Sequence, residues 1–267
     1  MAVREIAQKG IKVSMLRLSD APETETTLIL AGKETLVHLA STGLGALGYR
    51  EQRCLLIFAV TGDKKTAKHA RSTALKIIRK HGGMYTGDYI GKSWQKSRFL
   101  TPYLRNSLWE AGFALDTLET ALPWEKVSIA KHAIIDAISG TGIKRDLPLL
   151  VFGQLSHVYQ SGASIYITYL FRRSQSPEEN LQHWHAITEA ASQGIIDPGG
   201  TISHQHGVGI DHAGYLSHEK GSLGIDFLKD ASRFFDPDGI MNPQVMISSG
   251  SAEQNIVQSV NNFSGHK

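Results

Sequence analysis

The feature that most limits what this chain can fold into is the order in which its hydrophobic period changes between residues 113 and 204. "FALDTLETAL" (113–122) alternates as a strand does, and "WEKVSIAKHAIIDAISGTG" (124–142) places Val127, Ala130, Ile134 and Ile138 at helical spacing. "LPLLVFGQLSHVY" (147–159) and "GASIYITYLFRR" (162–173) are two further strands. Ser176-Pro177-Glu178-Glu179 forms a capping box with proline at the first helical position and opens a helix to about Gln193, after which "GGTISH" (199–204) is predicted as a strand. The succession β-α-β-β-α-β is the split βαβ signature of a ferredoxin-like sandwich. It predicts an α+β fold, an antiparallel sheet flanked by helices.

The flanking segments fit around that unit. Residues 2–9 end a helix, "KVSMLRLSD" (12–20) is a strand, and "CLLIFAVTG" (54–62) is a short apolar run typical of a buried strand. A helix follows with Ala67, Ala70, Ala74, Ile77 and Ile78 on one face and Gly82 as its stop. Glu34 to Ala46 is predicted as a helix broken by glycines. Near the C-terminus Leu223, Phe227, Ala231 and Phe234 are in helical phase, and Asp-Pro-Asp-Gly ends that helix. The polar stretch from about 248 onward is expected to be poorly ordered.

Composition removes several function classes. Hydrophobic residues make up 41% of the 267, which is enough for a real core. The formal net charge is +3 and the basic residues are scattered, so no nucleic-acid footprint appears, while a small anionic ligand suits the balance. Cys54 is the single cysteine, which excludes an internal disulfide and any multi-cysteine metal site and suits a reducing compartment. No apolar run approaches a membrane span of about 18 residues, and "MAVREIAQKG" lacks a signal-peptide apolar region, so the expected location is the cytoplasm.

The chemistry concentrates in "GGTISHQHGVGIDH" (199–212), which carries three of the chain's twelve histidines. On a strand, His204 and His206 point to one side and Gln205 to the other. Such a pair suits two bases, a base and its orienter, or two metal ligands; zinc needs a third ligand that neither a further cysteine nor an HExxH helix supplies, so no metal is expected. Gly207-Val208-Gly209 alone is a weak phosphate-loop signal, and glycines that permit close approach are the simpler reading. Arg105, beside Tyr103 at the start of a helix, can hold a carboxylate or phosphate bidentately, or form a surface ion pair. Arg17 lies in the apolar pattern "MLRL", where a charge needs either solvent or an anionic or electron-rich partner. Tyr166 and Tyr169 face opposite sides of their strand, and His157 and Tyr159 share a face of the neighbouring one.

"SMLRLSD", "RFLTPYLRNSLWEAGFALDTLETALPWEKV", "SHVYQSGASIYITYLF", "GGTISHQHGVG" and "FFDPDGIMNP", in that order over residues 2–247, resemble the C-terminal half of the FAD-linked oxidases of the vanillyl-alcohol oxidase type. Within that family the look is of the alkyldihydroxyacetonephosphate synthases and their bacterial relatives. The resemblance implies a substrate-binding cap (1–204), a helical segment returning toward a flavin domain (205–247) and a polar tail (248–267). It implies FAD at a domain interface and, for the synthases, exchange of an acyl group for a fatty alcohol on dihydroxyacetone phosphate, with flavin N5 in a covalent adduct.

Matched by motif, the resemblance implies that Arg17, His206 and Asn242 contact or support the flavin and that Arg105 holds the substrate anion. Tyr166, His204 and His206 are implied as proton-moving catalytic groups. The family's three-histidine run departs here at Gln205, and the acidic residue that metal-dependent D-lactate and glycolate relatives carry before HGxG is also missing. The glycine-rich flavin domain has no counterpart, so a shortened chain or one half of a split enzyme is expected, holding FAD weakly unless an FAD-binding domain or subunit joins it. An oxidoreductase of a 2-hydroxy acid or small alcohol is the alternative activity, and an isolated, non-catalytic cap is the alternative class. A homodimer and a peripheral contact with a lipid substrate are compatible with the resemblance.

Overall fold

In a computed structural model, residues 1–30, 44–45, 48–49, 52–243 and 245–246 are described. The described elements begin with helix α1 (Ala2–Gln8), strand β1 (Met15–Ser19), α2 (Ala21–Leu30), β2 (Leu55–Ala59), α3 (Lys64–Lys80) and α4 (Tyr89–Ser97). After a 3-10 turn (Thr101–Tyr103) come α5 (Leu104–Glu110), β3 (Phe113–Pro123), α6 (Trp124–Lys144), β4 (Leu149–Val158), β5 (Gly162–Arg172) and α7 (Pro177–Ile196). Two helices, α8 (Gly209–Ala213) and α9 (Leu216–Phe235), complete them.

The strands form one five-stranded sheet in the order β2-β1-β4-β5-β3, with every neighbouring pair antiparallel. Register decides which residues share a face. Leu118 pairs with Ile167 and Thr120 with Ile165 on one side, whereas Glu119 and Gln154 both pair with Tyr166 on the other. The first side is the core face. There Ile165, Ile167, Tyr169 and Phe171 of β5 pack against Ile134 and Ile138 of α6 and Ile187 and Ile195 of α7. Each fully buried isoleucine contributes roughly 1.5–3 kcal/mol relative to exposure.

Two local devices hold these layers together. Ser176 caps α7 as its sequence predicts, its Oγ accepting from the Glu179 N–H at 3.1 Å with Pro177 at the first helical position. Gly194 lets α7 approach α6, because a Cβ there would meet Ile134 Cα at 3.0 Å and the Ala133 carbonyl oxygen at 3.2 Å. A smaller core joins α1, β1 and α3 through Val3, Ile6, Leu16, Ala74, Ile77 and Ile78. At its rim Glu5 takes Lys9, His81 and Lys80 at 2.7, 2.7 and 3.0 Å, and these partners hold its carboxyl down to about 2.

One expectation needs correction. Residues 199–204 form no strand; they lie along the outer edge of β3 with two backbone hydrogen bonds, Thr201 N–H to Ala121 O and His204 N–H to Glu119 O. Positive φ at Gly199 (79°) and Gln205 (65°) bends the segment at both ends and stops a ladder from extending. In α9 the helical stripe is present but faces outward: Leu223, Phe227 and Phe234 are 82%, 71% and 80% exposed. The helix also kinks at Gly221, where φ is 69° and ψ is 171°. Apart from residues 44–45, which are helical, the helix expected over Glu34–Ala46 lies outside the described residues, as does the polar tail (248–267).

Candidate functional site

The sheet's second face carries a buried carboxylate. Glu119, in the middle of β3, is only 3% exposed, and five hydroxyl or imidazole side chains close around it. Ser156 Oγ–H donates to Oε1, Ser164 Oγ sits 2.7 Å from Ser156 Oγ, and the His157 backbone N–H donates to Ser164 at 2.9 Å. His157 Nδ1 lies 3.2 Å and His204 Nδ1 3.3 Å from Oε1; His206 Nε2 lies 3.4 Å from Oε2. Burial by itself would raise the Glu119 carboxyl, but the hydrogen bonds from Ser156, Ser164 and His157 outweigh it and hold the group below the usual range. Glu119 is therefore an anion at neutral pH.

A turn, not strand alternation, brings the two histidines together. His204 is held by its backbone bond to Glu119 O, and Ile202 is buried. The Glu219 carboxylate pins the preceding residues, accepting from Thr201 Oγ1 at 3.0 Å and Ile202 N–H at 2.9 Å. The left-handed Gln205 then turns the chain so that His206 approaches the other oxygen of the same carboxylate. Tyr166 meets His206 edge-on, with ring centroids 5.4 Å apart, and Tyr159 Oη lies 2.9 Å from His204 Nε2. Tyr169, as expected, points the opposite way into the core, where burial pushes its phenol up.

Behind His206, a cavity of about 270 Å³ opens between β3, α7 and the loop leading into α8. Asp116, Tyr169, Trp184, Asp211 and His212 line it. Trp184 Nε1–H donates to Asp116 at 2.6 Å, and burial pushes the His212 imidazolium down. Two carboxylates in so small a space disfavour an anion inside it. Arg105 on α5 is exposed, and its charge reaches the Tyr169 hydroxyl that lines the cavity. Among the described residues it makes no hydrogen bond or ion pair, so its guanidinium is free to meet an anion outside the cavity.

The remaining sequence candidates stand apart from the histidines. Arg17 bonds Glu23 at 2.7 Å and lies 5.7 Å from the Trp94 ring centroid, the anionic and electron-rich partners its apolar strand requires. Burial raises Glu23, whose second oxygen is buried without a partner. Asn242 is exposed after α9, in a left-handed conformation with φ of 47°.

Sequence reasoning missed the centre of the cluster. Glu119 is one of two acidic residues in its strand, with Asp116, and its only signal is a charge inside an alternating apolar pattern. Space also supplies the acidic and imidazole neighbours that the His-x-His pair lacks in sequence: ligand atoms of Glu119, His157 and His204 lie within 4.8 Å of one another. The Ser156 hydroxyl and, at 3.2 Å, His157 Nδ1 are the hydrogen-bond partners of Oε1, and His204 Nδ1 lies 3.3 Å away without a hydrogen bond.

The family model for FAD linked oxidases, C-terminal domain, matches residues 1–246. The alkyldihydroxyacetonephosphate synthase of Dictyostelium discoideum is 23% identical over 95% of this chain and 42% of its own length. The glycolate oxidase subunit GlcD of Bacillus subtilis is 30% identical over 92% of this chain and 56% of its own. A solved alkyldihydroxyacetonephosphate synthase superposes with a TM-score of 0.64 at 19% identity, covering 91% of this chain and 42% of that one, a likeness of fold. The chain thus spans about half the length, or less, of these relatives.

Proposed function

The chain belongs to the family of FAD linked oxidases, C-terminal domain, and from that premise we propose that it is the substrate-binding portion of an alkylglycerone-phosphate-synthase-like flavoenzyme. The observation that carries this reading is the convergence of Tyr166, His204 and His206 around one buried carboxylate, on the sheet face opposite α6 and α7. In this reading Arg105 binds the substrate phosphate, and Tyr166 and the histidines hold and move protons at the reacting carbon. The exchange forms an ether bond from the incoming fatty alcohol and releases the acyl group as a carboxylate.

FAD, when bound, supplies the electrophilic and redox-active ring for this chemistry. The residues present suit one wall of its site: the Tyr166–His206 edge suits a flat ring brought in by an FAD-binding domain or subunit. No helix among the described residues is long and apolar enough to cross a membrane, so contact with a lipid substrate would be peripheral.

A second reading, oxidation of a 2-hydroxy acid by FAD, is favoured by the likeness to the glycolate oxidase subunit. The test is direct. The chain, supplied with FAD and with an FAD-binding partner from the same genome, is assayed for release of fatty acid from an acyl-dihydroxyacetone phosphate in the presence of a fatty alcohol, and separately for dye reduction by 2-hydroxy acids. Alkyl exchange supports the first reading; dye reduction alone replaces it with the second; neither activity leaves a non-catalytic cap.

A further inference from the structure

We propose that Glu119, His204 and Tyr159 form a proton relay in which Tyr159, on the β4–β5 turn, is the outer acid–base group and Glu119 a positioning residue. The inference rests on the flavoenzyme reading above and adds to it a proton-transfer group beside Tyr166, His204 and His206.

The geometry begins at the buried end. Glu119 is an anion, and the charged oxygen near the buried His204 Nδ1 is its Oε1, 3.3 Å away; Nδ1 makes no hydrogen bond, so its contact with the carboxylate is electrostatic. A lone pair facing a carboxylate is repulsive, so Nδ1 carries the proton. That leaves Nε2 as an acceptor, and the group 2.9 Å from it is the Tyr159 hydroxyl. The order Glu119···His204···Tyr159 is the carboxylate–imidazole–hydroxyl chain that activates a hydroxyl in acid–base catalysis, with a phenol at its outer end.

Tyr159 is held where such a group is useful. Its side chain is 44% exposed, but its backbone is fixed: its N–H donates to Gly162 O at 2.8 Å, and its carbonyl accepts from the Trp124 indole N–H at 3.1 Å. Gly162 lets the start of β5 lie close against β3, because a Cβ there would lie 2.1 Å from the Leu122 carbonyl oxygen. A rigid turn thus presents an accessible phenol to solvent and its proton to a histidine.

The groups facing the relay come from each packed element. His157 of β4 shares Oε1 with His204, their rings 5.4 Å apart, and His206 faces Oε2 with Tyr166 and His212 beyond it. Ser156 and Ser164 complete the carboxylate shell. In the forward step a substrate X–H proton passes to Tyr159 Oη as the phenolic proton moves to His204 Nε2. The X–H electron pair stays on the substrate, and the imidazolium is stabilised by Glu119. The reverse step returns the proton, so no oxidant or reductant is consumed.

Two measurements test this. The first uses ring-¹⁵N NMR of the 267-residue chain: His204 is expected as the Nδ1–H tautomer, and Glu119→Gln is expected to raise the share of the Nε2–H tautomer through loss of the facing charge. An Nε2–H tautomer in the wild type, or a tautomer ratio indifferent to Glu119→Gln, overturns the relay. The second uses the FAD-loaded enzyme with whichever substrate class it accepts. Tyr159→Phe is expected to lower kcat about 10²-fold or more with KM nearly unchanged, and Glu119→Gln to move the acidic limb of the kcat profile to lower pH, with Glu119→Asp restoring part of the shift. Wild-type kcat in Tyr159→Phe, or a Glu119→Gln protein that is merely less stable with an unmoved pH profile, overturns it. Oxidation in place of alkyl exchange would defeat the substrate assignment while leaving the relay's expected results unchanged.

Discussion

Glu119 and Tyr166 are register partners across the β3–β5 ladder, so their side chains leave the same face of the sheet, and His206 closes on both, 3.4 Å from the carboxylate and edge-on to the phenol ring. A one-residue slip of that ladder would send Glu119 into the isoleucine core and dismantle the cluster. The site therefore depends on the same pairing that builds the fold.

The Glu119 carboxyl makes stability pH-dependent in a definite direction. Its folded pKa is held below its unfolded value of about 4.3, so its contribution is complete above that value and is lost as pH falls through the folded one. Urea midpoints measured from pH 7 downward should fall more steeply below about pH 5 in the wild type than in Glu119→Gln. Parallel curves would show that the carboxyl is not held down in the folded chain.

Core and surface isoleucines and leucines should differ sharply. Ile167 is fully buried between the sheet and its helices, and Ile167→Ala should cost about 2–5 kcal/mol by urea denaturation. Leu223 on α9 is exposed, and Leu223→Ala should stay within about 0.5 kcal/mol of the wild type. A large loss at Leu223 would mean that this stripe is already covered, for instance in a homodimer.

Gly194 marks the closest approach of α7 to α6. Gly194→Ala adds a methyl against the Ile134 Cα and the Ala133 carbonyl, so the usual helix-favouring gain of alanine should reverse into a loss of about 1–3 kcal/mol. Thermal unfolding of the single variant reads this directly.

Arg105 should behave as an anion holder rather than a structural residue. Arg105→Ala should leave the unfolding midpoint unchanged and, in the FAD-loaded enzyme, raise KM for an anionic substrate about tenfold or more. Arg105→Lys should restore only part of the loss, because the ammonium cannot bind bidentately. An unchanged KM would remove the anchor assignment.

Much of the architecture was legible in the chain itself. The alternation of β3 and β5, the 3.6-residue phase of α6 and the Ser176–Pro177 start of α7 are local properties, set by side-chain spacing and capping chemistry, and each is found where its residues predict it. Tyr169 inward and Tyr166 outward follows from the same two-residue period. The stripe on α9 shows where such reasoning stops: period reports that a helix has an apolar face, not what lies against it.

The candidate site was half visible. His204, His206, Tyr166 and Arg105 stand out as residue types in a sequence-local pattern, but the group that organises the histidines does not. Glu119 lies 85 residues before His204, and Ser156 and His157 come from a strand two places across the sheet, with Tyr159 on the turn that follows it. Local spacing decided which elements form and which way their side chains alternate. Only tertiary structure decided that one carboxylate, withdrawn from water and fed by hydroxyl and imidazole donors, would become the anion around which three histidines gather, because desolvation and hydrogen bonding act through space and leave no period in the chain.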